Sequence, residues 1–228
     1  MKADRKRFAA PLYRCRRTRK PPAIDGMISP AIWRQAEAVP LRIATTGKPP
    51  QQPAEARLLY DDDCLYVAFH CLDRDAWGSL TRRDDPIYRE EVVEVFIDPT
   101  RGRRSYIEIE VSPLNTVLDL YILNDPRCPP MRPLWQWNCM GLRTAVHVER
   151  GANHRTKFWN CEMAIPFDQL HDAPNIPPKP GDRWRMNLYR IDHLPHLDEY
   201  SAWSRITGKS FHCPQCFGEL LFLAPGEG

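Results

Sequence analysis

Apolar and polar side chains alternate with a period of two along most of the chain beyond residue 53. Between residues 64 and 71, for example, Leu65, Val67 and Phe69 fall on one face of an extended segment, and the residues between them fall on the other. The alternation predicts about nine strands separated by turn residues. They span residues 54–60, 64–71, 92–98, 105–112, 116–123, 142–149, 158–165, 184–192 and 218–223.

A convincing helical period occurs only between residues 29 and 38, apart from a turn near residues 167–170. Ser29 occupies a position suited to an N-cap, and Pro30 suits the first helical position. Many short strands with one short N-terminal helix are typical of an all-β protein. We therefore predict an antiparallel β-sandwich, of the jelly-roll or immunoglobulin-like type, that forms a single domain over residues 21–224.

Positive charge is concentrated at the N terminus. The 228-residue chain has a formal net charge of +3, yet residues 1–20 carry nine of its 32 lysines and arginines, with only Asp4 to oppose them. The remaining residues are therefore mildly acidic. We predict that residues 1–20 form a basic, flexible arm outside the domain. Such an arm could touch nucleic acid, but a solvated terminus explains the charge without a partner.

The compartment follows from what the sequence lacks. The N-terminal residues have no apolar core of the length that a secretory signal needs, and no stretch approaches the roughly 20 apolar residues of a membrane span. As written, the sequence predicts a cytoplasmic protein with no membrane partner, and a start further upstream would reverse the compartment. The eight cysteines show no spacing of a secreted framework, and Cys64 and Cys71 point to opposite faces of one predicted strand. We expect most cysteines to be reduced.

Aromatic residues are more numerous than a sandwich core of this size needs, and several fall in predicted loops. The chain has seven Trp and eight Tyr. Aromatic faces stack on the apolar faces of pyranose rings, while neighbouring polar groups bind the hydroxyls. A single loop aromatic usually caps the end of a sandwich, so only a converging pair would indicate a sugar site. The loop aromatics are Trp77, Tyr88, Trp135, Trp137, Trp203 and Phe211.

Acidic residues crowd the segment from 61 to 98. Clustered oxygen ligands suit calcium, although no EF-hand loop is present and single turn aspartates usually bond to their own backbone. Two of the carboxylates could also be the acid and base of a glycosidase, which their separation would decide. The cluster comprises Asp61, Asp62, Asp63, Asp73, Asp75, Asp84, Asp85, Glu90, Glu91 and Asp98.

Histidines and cysteines offer a third chemistry. Cys213 and Cys216 form one CxxC pair after His212, but a structural zinc site needs twice as many ligands and no second pair exists. The order also differs from that of haem attachment. Metal or haem ligands could come from His70, His193, His196, His212, Cys213 and Cys216. The chain has no phosphate-binding loop, glycine-rich dinucleotide turn, GxSxG or HExxH motif.

Three blocks of sequence, taken together, resemble family-nine carbohydrate-binding modules and their DOMON-like relatives over about residues 21–224. The first is Ala-Ile-Asp-Gly at 23–26 with Ile-Trp at 32–33. The second is Ala-Arg-Leu-Leu-Tyr-Asp-Asp-Asp-Cys-Leu-Tyr-Val at 56–67, continued by Val-Glu-Val-Phe-Ile-Asp at 93–98. The third is Ala-Trp-Ser at 202–204 with Phe-Gly-Glu-Leu at 217–220. Their order and spacing together carry the resemblance.

The resemblance implies a β-sandwich that binds sugar between two aromatic side chains, often with structural calcium. At the matching positions the chain has Tyr88, shortly before the Val-Glu-Val-Phe-Ile-Asp strand, and Phe211, before the final Phe-Gly. Glu94 matches an acidic position that contacts sugar hydroxyls. The chain departs from the family in having Tyr and Phe in place of the usual tryptophans, and Glu108 and Glu110 in place of the expected Arg and Asn. The departure implies a more acidic pocket whose sugar specificity has changed or been lost.

We therefore predict a carbohydrate-binding domain, linked to carbohydrate catabolism, that catalyses no reaction itself and requires no cofactor beyond the calcium that the resemblance implies. Two alternatives stay open. One is a carbohydrate-active hydrolase on the same sandwich, with two carboxylates facing one groove, and the other is a haem- or metal-binding DOMON-like protein. The predicted site has Tyr88 and Phe211 as the clamp, Glu94 as a hydroxyl acceptor, and Trp77, Glu108, Glu110 and Trp203 as lining residues.

Overall fold

The computed structural model describes residues 9–125, 127, 129–151, 155–194 and 196–227, which are mostly β-structure. The prediction of an all-β fold with one short helix is confirmed. The α-helix of these residues, α1, spans Pro30–Trp33, and 3-10 turns span Ile87–Arg89, Phe167–Gln169 and Pro214–Cys216. None of the described helices is long and apolar enough to cross a membrane. The strands are β1 (Leu12–Arg17), β2 (Val39–Pro40), β3 (Arg42–Ile43), β4 (Ala54–Tyr60), β5 (Cys64–Leu72), β6 (Val92–Asp98), β7 (Ser105–Val111), β8 (Val117–Leu123), β9 (Arg132–Leu134), β10 (Arg143–Arg150), β11 (Thr156–Pro166), β12 (Arg183–Leu194), β13 (Leu197–Ala202) and β14 (Gly218–Phe222).

The strands form two facing sheets that β1 joins. Sheet A has the order β1-β14-β12-β6-β7-β8-β9, with β13 paired to the second half of β12 and β3 paired to β13. Sheet B has the order β10-β11-β5-β4-β1, with β2 paired to β4. The first part of β1 pairs with β14 and its last two residues pair with β4, so this strand crosses from one sheet to the other. Both β1 ladders are parallel, whereas the other ladders between described strands are antiparallel.

The alternation of side chains gives β6, in the middle of sheet A, two covered faces. On β6, Val93, Val95 and Ile97 point between the sheets and belong to the main core. Phe96 points the other way and belongs to a second apolar cluster on the outer face of sheet A. The loop before β14, with Phe211, also belongs to this outer cluster. The outer covering of sheet A is incomplete, and the gap in it is the cavity described below.

Strand β1 differs from the prediction that residues 1–20 form a flexible arm. Tyr13 and Cys15 are fully buried in the main core, and the Tyr13 hydroxyl accepts a hydrogen bond from a β4 amide at 2.8 Å. The residues between the buried positions are exposed arginines, which hide the period-two pattern behind a high charge. The prediction is therefore wrong for residues 12–17, and residues 1–8 lie outside the described part of the chain.

Helix α1 is a single turn, shorter than the helix predicted between residues 29 and 38. The Ser29 side chain makes no capping hydrogen bond. The helix ends at Trp33, whose indole is buried against sheet B and donates from Nε1 to Glu162 Oε1 at 2.6 Å. The Gly26 amide donates to the other oxygen of this carboxylate at 2.7 Å, and the Gly26 φ is +81°. The Asp-Gly and Ile-Trp pairs of the first sequence block therefore have a structural role.

Candidate functional site

A cavity of about 460 Å³ opens on the outer face of sheet A. Its floor is formed by β6 and β7, which contribute Glu94, Glu108 and Glu110. Five of the seven residues predicted for the ligand site thus lie in one cavity. Its aromatic walls come from four separate segments: Tyr88 from the 3-10 turn before β6, Trp135 from the segment after β9, Tyr200 from β13 and Phe211 from the loop before β14.

The register of two neighbouring strands brings the three glutamates together. Glu94 is paired with Glu110 across the ladder between β6 and β7, and Glu108 stands two residues before Glu110 on the same face. One oxygen of each carboxyl group lies within 4.8 Å of the others. Glu94, Glu108 and Glu110 are 2%, 4% and 1% exposed. Side chains two residues apart on a strand lie on the same face, and paired positions of antiparallel strands have Cβ atoms about 4.5–5.5 Å apart. The strand pairing therefore places the three glutamates in one cluster.

Burial raises the pKa of all three carboxyl groups. Desolvation, and then the negative charge of Glu108, raises the pKa of Glu94 well above its ordinary value. Burial and both neighbouring carboxylates raise the pKa of Glu110 in the same way. Burial raises the pKa of Glu108 to about 7, against a lowering by its interaction with Glu110. Near neutral pH the floor therefore retains protons, and its carboxyl groups can donate as well as accept hydrogen bonds.

Little positive charge reaches this floor. His212 Nδ1 lies 3.7 Å from Glu108 Oε2, but it also lies 2.8 Å from the Tyr106 hydroxyl, and burial lowers the pKa of His212. Lys209 lies at the rim and is exposed. Glu108 and Glu110 hydrogen-bond to each other, but the buried Oε2 atom of each receives no hydrogen bond from another described group. Because such an oxygen costs about 1–3 kcal/mol, these two atoms are where a polar ligand would stabilise the cavity most.

The aromatic walls combine exposed rings with a supporting ring. Tyr88, Trp135 and Tyr200 are 39%, 41% and 42% exposed. Phe211 is only 8% exposed. Its ring stacks on Tyr189 with centroids 4.0 Å apart and meets Tyr200 edge to face at 6.0 Å. Phe211 therefore lines the cavity and also holds Tyr200 in place. That Tyr88 and Phe211 clamp a sugar stays a prediction.

Sequence reasoning missed Tyr200 as a wall residue and gave Trp135 no place in the site. Strand β13 is too polar to show the alternation from which the other strands were predicted. In the structure β13 forms a hairpin with β12, and Tyr200 is paired with Ile191 across it. Ile191 belongs to the outer apolar cluster. Tyr200 could therefore have been found only from the strand predicted at 184–192. If the next segment folds back on that strand as a hairpin, Tyr200 lies beside it on the outer face.

Trp77 and Trp203 do not line this cavity, so the structure does not bring them together with the other five residues predicted for the site. Trp77 stands beside the β12–β13 hairpin, where its ring centroid is 6.4 Å from that of His193. Trp203 packs against the main core and meets Tyr13 edge to face at 6.3 Å. The reason is the register: Ala202 belongs to the outer cluster, so the next side chain along the chain points between the sheets.

The Trp203 indole lies directly on Gly218, which explains the third sequence block. A Cβ at Gly218 would lie 2.5 Å from Cζ3 of Trp203. We therefore expect Gly218→Ala to lower the free energy of unfolding by about 1–3 kcal/mol through overpacking. Chemical denaturation measures the effect. Gly208→Ala is the matched control, because a Cβ there meets nothing within 4 Å. Equal stability of the two variants would contradict this packing.

A second group of buried carboxylates, Asp73, Glu91 and Asp192, surrounds an arginine. Arg190 Nη2 lies 2.7 Å from Asp73 Oδ2 and 3.1 Å from Asp192 Oδ2. Burial, and then the charges of the two aspartates, raises the pKa of Glu91 to about 9. A calcium ion among these oxygens would meet the guanidinium charge. The group therefore does not fit calcium, although its ligand type is suitable.

Other aspartates of the acidic segment bond to their own turns. Asp61 Oδ1 accepts from the amides of Asp63 and Cys64, each at 2.9 Å. Asp98 Oδ2 accepts from the Arg103 amide at 2.7 Å. These contacts use oxygens that a calcium site would need. Structural calcium stays a prediction to which no site is assigned.

The histidines and cysteines considered as metal or haem ligands lie in separate places. His70 lies in the groove between α1 and the outer face of sheet B. His193 and His196 line another cavity near the β12–β13 hairpin, whereas His212 lines the cavity of sheet A. Cys213 and Cys216 form a disulfide with each other. The structure therefore does not bring these side chains to one metal or haem.

The other described cysteines follow the prediction that most are reduced. They are free and buried, and their set is Cys15, Cys64, Cys71, Cys139 and Cys161. Burial raises the pKa of the thiols of Cys15 and Cys161. They therefore stay protonated and pack as small apolar groups. Cys128 lies outside the described residues.

Comparison with known proteins identifies the family. The sequence profile of the family described as carbohydrate family 9 binding domain-like matches residues 24–223, and the chain belongs to that family. The resemblance of the three sequence blocks to family-nine carbohydrate-binding modules is thereby confirmed. No curated protein matches the chain.

Solved structures show the same fold at low sequence identity. The chain is similar to a candidate carbohydrate-binding protein from Bacteroides uniformis, with a TM-score of 0.72 and 16% identity over 94% of this chain and 100% of that chain. It is also similar to a family-nine carbohydrate-binding module from Caldicellulosiruptor kristjanssonii in complex with cellotriose, with a TM-score of 0.68 and 16% identity over 95% of this chain and 96% of that chain. For a family-nine module of the same organism in complex with glucose, the TM-score is 0.63 and the identity 16%, over 94% of this chain and 98% of that chain.

Proposed function

We propose that this domain binds a carbohydrate in the cavity on the outer face of sheet A and does not cleave it. The observation that carries the proposal is the combination, in one cavity, of exposed aromatic rings on the walls and unpartnered carboxyl oxygens on the floor. Membership of a family of carbohydrate-binding domains supports it. Two structures of similar fold contain cellotriose and glucose, which makes a glucose ring a suitable first probe.

The cavity suits a sugar ring in size and chemistry. Its volume of about 460 Å³ falls within the roughly 300–1,000 Å³ of small-molecule sites. The faces of Tyr88, Trp135 and Tyr200 can stack on the C–H faces of a pyranose. Sugar hydroxyls can then donate to Oε2 of Glu108 and Oε2 of Glu110, or accept from protonated carboxyl groups. These hydrogen bonds would form away from bulk water, where they are stronger.

We expect Tyr88→Ala to weaken the binding of glucose or cellotriose about tenfold, because the variant loses one stacking wall. Trp77→Ala is the matched control: it removes a ring of similar exposure, 42% against 39% for Tyr88, outside the cavity. Isothermal titration calorimetry of the wild type and both variants measures the affinities. If only the Trp77→Ala variant loses affinity for the saccharide, the binding site lies near Trp77 and not in this cavity. If no saccharide of a broad panel binds to the wild type, the proposed function is wrong.

A hydrolase is the second candidate, because a carboxyl group with a raised pKa, such as that of Glu108, can act as a catalytic acid. Glycosidase carboxyl groups flank the scissile bond, about 5–5.5 Å apart in retaining enzymes and about 6.5–9.5 Å apart in inverting ones. Here the carboxyl oxygens lie within 4.8 Å on one floor, and the walls above them are aromatic. We therefore expect no release of reducing sugar from cellotriose. Cleavage that Glu108→Gln abolishes would favour the hydrolase instead.

A further inference from the structure

The floor of the cavity lacks the strong cation that two other buried carboxylates of the protein, Asp119 and Asp73, have. Asp119 is paired with the Arg83 guanidinium at 2.6 Å, and Asp73 is paired with Arg190 at 2.7 Å. Among the described residues that line the cavity, the only lysine or arginine is Lys209, which is exposed at the rim. Arginine therefore neutralises these two buried carboxylates, whereas no described arginine lines the cavity floor, whose carboxyl groups face the cavity.

Two oxygens of the floor indicate what kind of ligand group would fit. Glu108 Oε2 and Glu110 Oε2 are buried, belong to side chains that line the cavity, and receive no hydrogen bond from a described group other than the neighbouring carboxyl group. These residues are 4% and 1% exposed, so bulk water does not hydrate them as it hydrates a surface carboxylate. A group that carries both positive charge and several N–H donors would satisfy these oxygens and reduce the repulsion between the carboxylates.

We propose that the cavity takes an amino sugar, a hexosamine or a short oligomer of hexosamines, whose ammonium group binds among Glu94, Glu108 and Glu110. This inference rests on the proposed function and names the class of sugar. An ammonium group has three N–H donors and no acceptor, which matches three carboxyl groups whose oxygens lie within 4.8 Å of one another. The ring of the sugar lies between the aromatic walls, where its C–H faces stack on Tyr88 and Tyr200.

A divalent metal ion is the other cation that three carboxylates can bind. The rest of the cavity favours an organic ligand. A metal ion with its waters does not need a cavity of about 460 Å³, and it gains nothing from the exposed rings of Tyr88, Trp135 and Tyr200. An amino sugar uses both parts of the site, because aromatic faces stack on its ring and also attract its positive charge.

Proton release gives this inference a second signature. Burial raises the pKa of each floor carboxyl group, so an arriving ammonium group displaces protons, and the affinity for a hexosamine rises between about pH 5 and pH 7. His212 faces the floor as well, and the lowering of its pKa by burial favours its neutral form in the upper part of this range. The remaining titratable groups around the floor are Tyr106 and Tyr189, whose pKa values burial raises, and Tyr88, Tyr200 and Lys209.

Calorimetric titration of the full chain at about pH 7 with glucosamine, N-acetylglucosamine and glucose tests this inference. The three sugars share one type of ring, and only glucosamine carries an ammonium group. We expect glucosamine to bind about tenfold more tightly than either neutral sugar. In the Glu108→Gln/Glu110→Gln variant the ratio of the glucosamine affinity to the glucose affinity should fall to about one. Glu37→Gln removes an exposed carboxylate outside the cavity and should keep the wild-type ratio.

The possible results separate this inference from the proposed function. If glucose and N-acetylglucosamine bind as tightly as glucosamine, the amino-sugar selectivity is wrong and carbohydrate binding stands. If none of the three binds, nor cellotriose, both are wrong. If calcium chloride binds without any preference of the protein for glucosamine, and the double variant abolishes that binding, the floor is a metal site and the inference is overturned.

Discussion

Replacing Arg190 with methionine is expected to lower the free energy of unfolding by about 3–5 kcal/mol. The guanidinium lies 2.7 Å from Asp73 and 3.1 Å from Asp192. Its Nη1 also donates to the carbonyl oxygens of Gln52 and Leu72, each at 3.0 Å. Methionine keeps the volume of the side-chain stem but leaves two buried carboxylates without their cation. The loss should be large because these contacts connect β12 to the segment before β4 and to the end of β5.

Urea denaturation followed by far-ultraviolet circular dichroism measures this loss, and in a protein of this size each kcal/mol corresponds to about 2–4 °C in Tm. Arg82→Met is the matched control, because the Arg82 side chain is 87% exposed in its ion pair with Asp85. Exposed pairs contribute about 0–1 kcal/mol. If the Arg190 variant is no less stable than the Arg82 variant, the buried cluster does not hold the fold in this way.

Removing charge from the cavity floor is expected to stabilise the protein above neutral pH. Burial raises the pKa of Glu94, Glu108 and Glu110 in the folded state. At pH values between the unfolded-state pKa and the folded-state pKa of such a group, the folded state binds more protons than the unfolded state. The contribution of the group to the free energy of unfolding is therefore greatest below this pH interval and falls as the pH rises through it. For Glu108 the interval runs from 4.5 to about 7, which corresponds to roughly 3 kcal/mol.

The variant with glutamine at all three positions, Glu94→Gln/Glu108→Gln/Glu110→Gln, has no such protons to lose. Its stability relative to the wild type should increase by roughly 3 kcal/mol or more between about pH 5 and pH 8, measured by urea denaturation at each pH. Trp77→Ala is the control, because it changes no titratable group and its difference from the wild type should stay constant. A constant difference for the triple variant as well would show that burial does not raise these pKa values.

The same carboxyl groups therefore destabilise the fold near neutral pH and give the cavity its chemistry. Glu94 and Glu110 face each other across neighbouring strands, where like charges repel. A ligand that brings a positive charge would relieve this repulsion. Perturbed pKa values are common at functional sites, but Glu91 in the Arg190 cluster has a raised pKa as well. The floor, rather than that cluster, carries the proposed function because exposed aromatic walls surround it and no described arginine neutralises it.

The strands could be predicted wherever one face is continuously apolar. The strand predicted at 92–98 has the bounds of β6, Val92–Asp98, because its alternation continues to both ends. Strands β1 and β13 could not be predicted in this way, since charged residues occupy their outward positions. They become strands because they pair with β14 and β12, and these contacts depend on the tertiary fold.

Part of the site could also be predicted from the alternation of side chains along the strands. Once β6 and β7 are recognised as neighbours, the alternation of side chains along each strand places their glutamates on the same face of the sheet. The walls come from loops and from the unpredicted β13, so the sequence could not separate Tyr88, which lines the cavity, from Trp77, which does not. The burial of Phe211 depends on its stacking with Tyr189 of β12, and nothing in the sequence links these two positions.

Amide chemical-shift mapping of isotope-labelled protein, with cellotriose and with glucosamine, tests most directly whether this cavity is the carbohydrate site. We predict that the shifts concentrate at Tyr88, Glu110 and Phe211, on the walls and floor of the cavity. Amides of the groove beside α1, such as those of Trp33 and His70, should stay unchanged. Shifts that concentrate in the α1 groove, or no shifts with either saccharide in large excess, would contradict the assignment of this cavity.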